Sequence, residues 1–121
     1  MVAFCQGIKG HYYNEEYQVY LYINTIDKDV MVPDQDIYGP LPGYFGSKRD
    51  SRLWLVLEAE PSGKKIEITV INDYGSEDFT ATLSENSDGI LTMKHESGST
   101  YKIVVNNKYV KIPKTLVLKK Q

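Results

Sequence analysis

The stretch from Leu53 to Asn72, LWLVLEAEPSGKKIEITVIN, decides the fold class. On each side of its central PSGK, apolar and polar side chains alternate with a period of two, which is the pattern of a β-strand. The PSGK itself has the composition of a tight turn. In the second half, the alternation places three apolar side chains on one face: Ile66, Ile68 and Val70. In the first half, the alternation predicts that one face of the strand carries Leu53, Leu55, Leu57 and Ala59.

The same rhythm of short strand and turn continues on both sides of this stretch. The segments IKGHYY, EYQVYLYINTI and the short VMV precede it, and FTATLS, ILTMKHE, TYKIVVN, YVKI and KTLVLKK follow it. No segment has the apolar spacing of three and four that marks a helix, so we expect little or no helix. The chain is therefore predicted to be an all-β, single-domain antiparallel meander of eight to ten strands. Closure into an up-and-down barrel buries one face and removes the sheet edges, and a β-sandwich is the alternative.

Composition and charge exclude several classes of protein. The 121 residues include 14 basic and 16 acidic side chains, for a formal net charge of −2. No dense basic cluster is present beyond Lys48–Arg49 and Lys119–Lys120, so nucleic acid is not an expected partner. No apolar run approaches the ~18 residues of a membrane span. Cys5 is the single cysteine, so no intramolecular disulfide can form.

The opening MVAFCQG, residues 1–7, is a short, largely apolar run. It is typical of the end of a secretory signal or of a disordered N-terminus, and Val2–Phe4 could equally begin the first strand. We therefore predict a single β-barrel domain over residues 8–121. A secreted or periplasmic location is the expectation, with a cytoplasmic one as the alternative.

The strand pattern resembles that of the lipocalin-like, or calycin-type, small barrels. In that group a G-x-W motif on the first strand helps to close the base of the barrel, and here Gly10, His11 and Tyr12 occupy that place, with Tyr for Trp. The excess of Lys over Arg and the signal-like start also resemble small secreted proteins of unknown function from Bacteroidetes. These resemblances imply a small secreted barrel and name no activity.

A shorter segment, ESGSTY, resembles the S-G-x-x-Y segment of periplasmic lysozyme inhibitors, which are also small β-barrels. Ser97, Gly98 and Tyr101 match its pattern, but the cysteines common in that family are absent. The match implies an inhibitor as one form of protein partner.

Nothing in the sequence carries the pattern of a catalytic or metal site. His11 and His95 are the two histidines, and the strand pattern brings neither next to a carboxylate pair. The acid-rich loops at 34–36 and 73–78 lack the twelve-residue spacing of a calcium loop. No nucleophile elbow, phosphate loop or H-E-x-x-H helix is present. We therefore predict a non-enzymatic protein without cofactor or metal.

One segment breaks the rhythm of strand and turn. From Val32, VPDQDIYGPLPGYFGSKRDSR contains three prolines, three glycines and three aromatic side chains. Ordered loops of this length in compact domains are usually functional. We predict that residues 33–52 form an ordered loop over one end of the barrel, acting as a plug, a lid or a partner-binding loop. Its predicted ligand-binding residues are Tyr38, Tyr44, Phe45, Lys48, Arg49 and Arg52.

The predicted function follows from this loop and the barrel. The protein is expected to bind a small apolar or amphipathic ligand at the barrel mouth, under the 33–52 loop. The alternative is a protein–protein interaction or inhibitor protein that uses the same loop or an edge strand. Separately, Tyr20 and Tyr22 share a face with Gln18 and Asn24. This mixture of rings and amides is suited to stacking on a sugar, or it forms an ordinary outer strand face.

Overall fold

A computed structural model describes residues 7–33, 39–72, 77–86 and 88–121 of the chain. All but Gly7 of the predicted signal remnant at 1–7 therefore lies outside the described residues. Ten strands are present, and the described residues contain no helix. The strands are β1 (Lys9–Asn14), β2 (Val19–Asn24), β3 (Gly43–Ser47), β4 (Asp50–Ser62), β5 (Lys65–Asn72), β6 (Asp78–Glu85), β7 (Ile90–Gly98), β8 (Lys102–Val105), β9 (Lys108–Lys111) and β10 (Thr115–Lys120).

Eight of these strands form a closed antiparallel barrel. Its order is β1-β10-β7-β6-β5-β4-β3-β2, and β8 and β9 form a separate two-stranded sheet. The seam between β1 and β10 is short, with the register Tyr12↔Lys120 and Tyr13↔Lys119. The predicted all-β meander and its closure into a barrel are confirmed. No helix in the described part of the chain is long and apolar enough to cross a membrane.

The inside of the barrel is a packed hydrophobic core. An eight-stranded barrel has an interior just wide enough for side chains to fill it. Large rings take much of this space, contributed by Tyr12, Phe45, Trp54 and Phe79. The Tyr12 ring points inward from β1, and its hydroxyl donates a hydrogen bond to a carboxylate oxygen of Glu85. Tyr12 is the residue that the lipocalin-like resemblance placed at the Trp position.

One β-bulge changes which side chains of β4 face the core. The register moves from Val56↔Val70 to Glu58↔Thr69, so Leu57 is an extra residue on β4. Trp54 and Val56 therefore point inward, together with Ala59 beyond the bulge. The predicted shared face of Leu53, Leu55, Leu57 and Ala59 is thus wrong, because a bulge reverses the side-chain alternation at that point. The three leucines belong to a second apolar cluster outside the barrel.

The predicted loop at 33–52 also needs correction, because it contains a strand. β3 crosses the sheet between β2 and β4, with Gly43 next to Ile23 and Ser47 next to Val19. Both glycines of β3 lower its strand propensity, which explains why the sequence pattern did not reveal it. The predicted short strand VMV is reduced to a single bridge between Val30 and Leu41.

A hairpin of β8 and β9, which we call the cap hairpin, joins β7 to β10 across one end of the barrel. Its inward side chains, Tyr101 before β8, Ile103 and Ile112, are buried in the barrel core. The Tyr101 ring lies 5.3 Å from that of Trp54 and 5.6 Å from that of Phe45. The plug of this barrel end is therefore the cap hairpin, which the sequence pattern presented only as one more strand pair.

We predict that Tyr101→Ala lowers the free energy of unfolding by about 3–5 kcal/mol, because it leaves a cavity among core rings. Urea denaturation measures this loss. Tyr109→Ala is the matched control, since Tyr109 is a 62% exposed tyrosine of the same hairpin. It should cost no more than about 1 kcal/mol. Equal losses for the two variants would show that Tyr101 does not anchor the cap hairpin.

Candidate functional site

The outer surface of β1, β2 and β3 carries a cluster of aromatic side chains. Tyr20 and Tyr22 alternate along β2 with Val19, Leu21 and Ile23, which are buried in the barrel core. Because successive strand residues point to opposite faces, both tyrosines project from the outside of the barrel. Their rings are half-buried and lie 5.2 Å apart between centroids.

Neighbouring strands extend this cluster on both sides of β2. Tyr22 lies opposite His11 of β1 and opposite Tyr44 of β3 in the sheet register. The His11 ring is tilted over that of Tyr22 at 4.1 Å, and Tyr44 meets Tyr22 edge to face at 5.2 Å. Edge-to-face and tilted contacts of this kind are favourable for aromatic pairs. The rings therefore support one another in fixed orientations.

A second apolar cluster, which we call the outer cluster, holds this aromatic surface from one side. Its buried members are Val32, Leu41, Tyr44 and Leu55, with Tyr20 and Tyr22 packed against it. The connection between β2 and β3 folds over it, tied by two backbone hydrogen bonds of 2.9 Å between Val30 and Leu41. The described residues of this connection thus cover the outside of the barrel.

An open groove of about 450 Å³, which we call the tyrosine groove, lies on this surface. It is lined by His11, Tyr12, Tyr13, Tyr20, Tyr22, Lys48 and Gln121. Two further grooves adjoin it. One, of about 450 Å³, shares Tyr13 and Gln121, and the other, of about 260 Å³, shares His11 and Tyr22. The three grooves lie side by side across β10, β1 and β2, and we call them together the track.

Backbone hydrogen bonds position the polar side chains of the tyrosine groove. The amide of Lys48 donates to the carbonyl of Gln18 at 3.0 Å, which ties the β3–β4 turn to the β1–β2 turn. Lys48 Nζ consequently lies 4.6 Å from the centre of the Tyr13 ring. At the other side, the amide of Gln121 donates to the carbonyl of His11 at 2.8 Å. The groove therefore presents an ammonium group, an amide and an imidazole around aromatic rings.

Gly46 leaves the space in which the Tyr20 ring lies. The two residues are opposite each other in the register of β2 and β3. A β-carbon at Gly46 would overlap the phenol end of Tyr20. The glycine therefore allows the ring to lie along the sheet, where it forms the floor of the tyrosine groove.

Burial changes the ionisation of two phenols in this cluster. Burial raises the pKa of Tyr44 to about 12, and the neighbouring Tyr20 and Tyr22 hydroxyls add to the shift. The pKa of Tyr20 is also raised, first by burial and then by Tyr22. Both hydroxyls, like an ordinary phenol, are protonated at physiological pH and can donate hydrogen bonds, and the shift extends the protonated form to more alkaline pH.

The six predicted ligand-binding residues do not meet at one place. Tyr44 supports the aromatic cluster, and Lys48 lines the tyrosine groove. Phe45 points into the barrel core, because it follows Tyr44 on the same strand. Arg49 is exposed in the β3–β4 turn, and Arg52 donates a hydrogen bond to the Tyr109 hydroxyl of the cap hairpin. Tyr38 lies outside the described residues.

The residues of the tyrosine groove that the sequence pattern had not assigned to a site are His11, Tyr12, Tyr13 and Gln121. They come from the two ends of the chain, and only the pairing of β1 with β2 and β10 brings them to Tyr20 and Tyr22. The alternation within β2 did predict that Tyr20 and Tyr22 share a face. It contained no signal for the strand that lies beside them.

The second histidine has a structural environment. His95 Nε2 donates to the carbonyl of Ser99 at 2.9 Å, and its ring stacks on Phe79 at 5.4 Å. Within the described ranges, no group of three or more His, Cys, Asp and Glu side chains could hold a metal ion.

Comparison of the chain with family models, curated proteins and solved structures found no match.

We predict that the stability of the protein falls between pH 10 and pH 12 in part because of Tyr44. An unfolded tyrosine loses its proton near pH ~10, whereas folded Tyr44 keeps it up to about pH 12. This contribution to stability is complete below pH ~10 and is lost as the pH rises through the folded value. Tyr44→Phe should therefore show a smaller alkaline loss in urea denaturation. Tyr109→Phe, at an exposed position, is the control, and an equal change in both variants would contradict the prediction.

We predict that Gly46→Ala moves the Tyr20 ring while leaving the barrel folded, because the overlap involves the far end of a side chain. Chemical shifts of the Tyr20 ring and its through-space contacts with Tyr22 report the displacement. Ser62→Ala is the control, since Ser62 is exposed on β4 and does not line the tyrosine groove. Unchanged Tyr20 shifts in Gly46→Ala would show that the glycine does not set the ring position.

Proposed function

We propose that this protein is a non-enzymatic, lipocalin-like β-barrel that binds a carbohydrate in the tyrosine groove. The observation that carries the proposal is the run of rings in tilted contact, from His11 through Tyr22 to Tyr20, on an open surface with a lysine and a glutamine beside it. A sugar is an amphipathic ligand, as the sequence predicted, and it would bind on the outer surface instead of at the barrel mouth.

The chemistry of these side chains matches that of a sugar ring. One face of a pyranose consists of C–H groups, which pack on the face of a tyrosine ring, and its edge carries hydroxyls. The Tyr20 hydroxyl donates and accepts hydrogen bonds, the Gln121 amide does both, and the Lys48 ammonium donates.

The length of the track supports a chain of sugars in preference to a single one. The tyrosine groove is flanked by the groove containing Tyr13, Val117 and Lys119 and by the groove containing Tyr22 and Met31. An oligosaccharide that bridges them would gain several weak contacts at once, which compensates for the low affinity of each.

Packing in the barrel supports a site on the outside. The sequence predicted a ligand at the barrel mouth. Here buried side chains, with Phe45, Trp54 and Phe79 among them, occupy the barrel interior, and the cap hairpin covers one end. Room for a ligand there would require displacing core rings, whereas the tyrosine groove is open without rearrangement.

We predict that the protein binds some members of a panel of oligosaccharides and that Tyr20→Ala and Tyr22→Ala each weaken the binding at least about tenfold. The loss follows from removing a stacking surface. Glycan-array screening identifies the sugars, and isothermal titration of the best one measures the variants. Gly46→Ala should weaken binding as well, because it displaces Tyr20 from the groove floor.

Tyr109→Ala is the matched control, because it removes an exposed tyrosine that does not line the groove. It should bind the sugar as the wild type does. Equal weakening in this control, or the absence of binding to every glycan of the panel, would contradict the proposal. Tyr20→Phe separates the hydroxyl from the ring: retention of most of the affinity assigns the main role to stacking.

A further inference from the structure

The cap hairpin provides an open strand edge in a protein whose other strands form a closed barrel. β9 pairs with β8 along one side, and no described strand pairs with it along the other. β8 lies on the side of β4, with contacts between these strands. Unpaired edges are where a sheet can accept a further strand, and barrel closure removes such edges elsewhere. The free side of β9 is therefore the place for main-chain recognition by this fold.

The register of the hairpin shows which backbone groups point to this edge. The amide of Ile112 donates to the carbonyl of Tyr101 at 2.8 Å, which makes 101 and 112 a hydrogen-bonded pair. In an antiparallel ladder, bonded and non-bonded pairs alternate. Lys102↔Lys111 and Val104↔Tyr109 are consequently non-bonded pairs. The N–H and C=O groups of Tyr109 and Lys111 thus point away from β8, toward the open side.

The turn of the hairpin holds this edge in a defined shape. Asn106 and Asn107 form a two-residue connection with φ of 53° and 63°. Two successive left-handed residues are the signature of a type I′ turn, whose twist matches that of paired strands. On the inner side, Ile103 and Ile112 anchor the hairpin in the core. The edge is therefore preorganised to receive a strand.

Charge gives this edge a preference for an acidic partner. From Ser97 to Gln121 the chain contains six lysines and no Asp or Glu. Lys108, Lys111 and Lys114 are exposed, and no described acid lies within ion-pair distance of them. Glu77 is the acid that reaches the hairpin, and it pairs with Lys102 at 2.8 Å.

Tyr109 adds an aromatic contact beside the edge. The Arg52 guanidinium donates to its hydroxyl at 3.2 Å, and Lys102 Nζ lies 5.1 Å from its ring centre. These contacts hold an exposed ring next to positive charges. A strand added to β9 would place its alternate side chains against Tyr109 and Lys111 on one face and against Lys108 on the other.

We propose that the outer edge of β9 accepts an extended acidic segment of a partner protein as a third strand of the cap hairpin. Main-chain hydrogen bonds to Tyr109 and Lys111 would hold the segment, and acidic side chains would select it, as in other cases of β-strand addition. Lysines on an open edge repel basic strands and disfavour uncharged ones, so the same residues also set the specificity. This surface shares no residue with the tyrosine groove, and its test is independent of the proposed sugar binding.

The test uses the full chain, labelled with ¹⁵N, and a capped peptide of about nine residues that alternates Glu with Val and Thr. At saturating peptide, hydrogen exchange at the amides of Tyr109 and Lys111 should slow at least about tenfold. The same peptide with N-methyl groups on every internal amide, which cannot donate a main-chain hydrogen bond along either edge, should bind at least about tenfold more weakly. Absence of protection at these two amides, or equal binding of the methylated peptide, would overturn the proposal.

Two substitutions at Lys111 separate the contribution of main-chain hydrogen bonding to peptide binding from that of charge. Lys111→Gln removes the charge, whereas Lys111→Pro removes both the charge and the outward amide and keeps the bonds to β8. We expect Lys111→Pro to bind the peptide at least about tenfold more weakly than Lys111→Gln. Equal binding by the two variants, together with displacement of the peptide by a heparin fragment, would identify a polyanion surface and overturn strand addition. The methylated peptide decides the question with the wild-type chain if Lys111→Pro fails to fold.

Discussion

Closure of the sheet between its first and last barrel strands is the constraint on which the rest of the structure depends. β1 and β10 meet through only two register pairs, yet this seam removes both free edges of an eight-stranded sheet. Hydrogen bonds beyond the seam strengthen it, since Asn14 Nδ2 donates to the carbonyl of Val117 at 2.9 Å and the Gln121 amide donates to His11. The same pairing brings both ends of the chain to the tyrosine groove. The pairing of β1 with β10 therefore both closes the barrel and assembles the tyrosine groove.

A closed barrel of eight strands also determines where ligands can bind. Its interior holds little more than its own side chains, and here rings from β1, β3, β4 and β6 fill it. The cap hairpin adds Tyr101 to this core and covers one end. Both recognition surfaces that we propose consequently lie on the outside. One of these is the aromatic track over β1 and β2, and the other is the edge of the cap hairpin.

The alternation of apolar and polar residues predicted most of the fold, and each wrong assignment has an identifiable physical cause. Inward residues were predicted correctly where strands are regular, as in Ile66, Ile68 and Val70. The faces of β4 were assigned wrongly because the bulge at Leu57 has no signature in a run of leucines. β3 was missed because its glycines serve close approach of strands and rings, which composition alone does not reveal.

The candidate site was predictable only in part, because strand neighbours are not encoded locally. Tyr20 and Tyr22 share a face by simple alternation, and this much was visible in the sequence. That His11 and Gln121 lie beside them depends on a pairing between the two ends of the chain. The proposed role of the segment at 33–52 rested on its irregular composition. In its described part, Gly43–Ser47 is barrel strand β3, and Leu41 and Tyr44 belong to the outer cluster.

The two apolar clusters lie on opposite faces of the same strands, and this affects how the register between neighbouring strands is specified. Consecutive residues of β3, Tyr44 and Phe45, serve opposite clusters, as do Leu55 and Val56 of β4. Hydrophobicity therefore cannot distinguish the correct alignment from one displaced by a residue, because both faces are apolar. Volume makes the distinction instead: a side chain in place of Gly43 would overlap the backbone carbonyl of Tyr22. In this part of the sheet, the space left where glycine lacks a side chain specifies the strand register. In ordinary half-buried strands, the contrast between a polar and an apolar face specifies it.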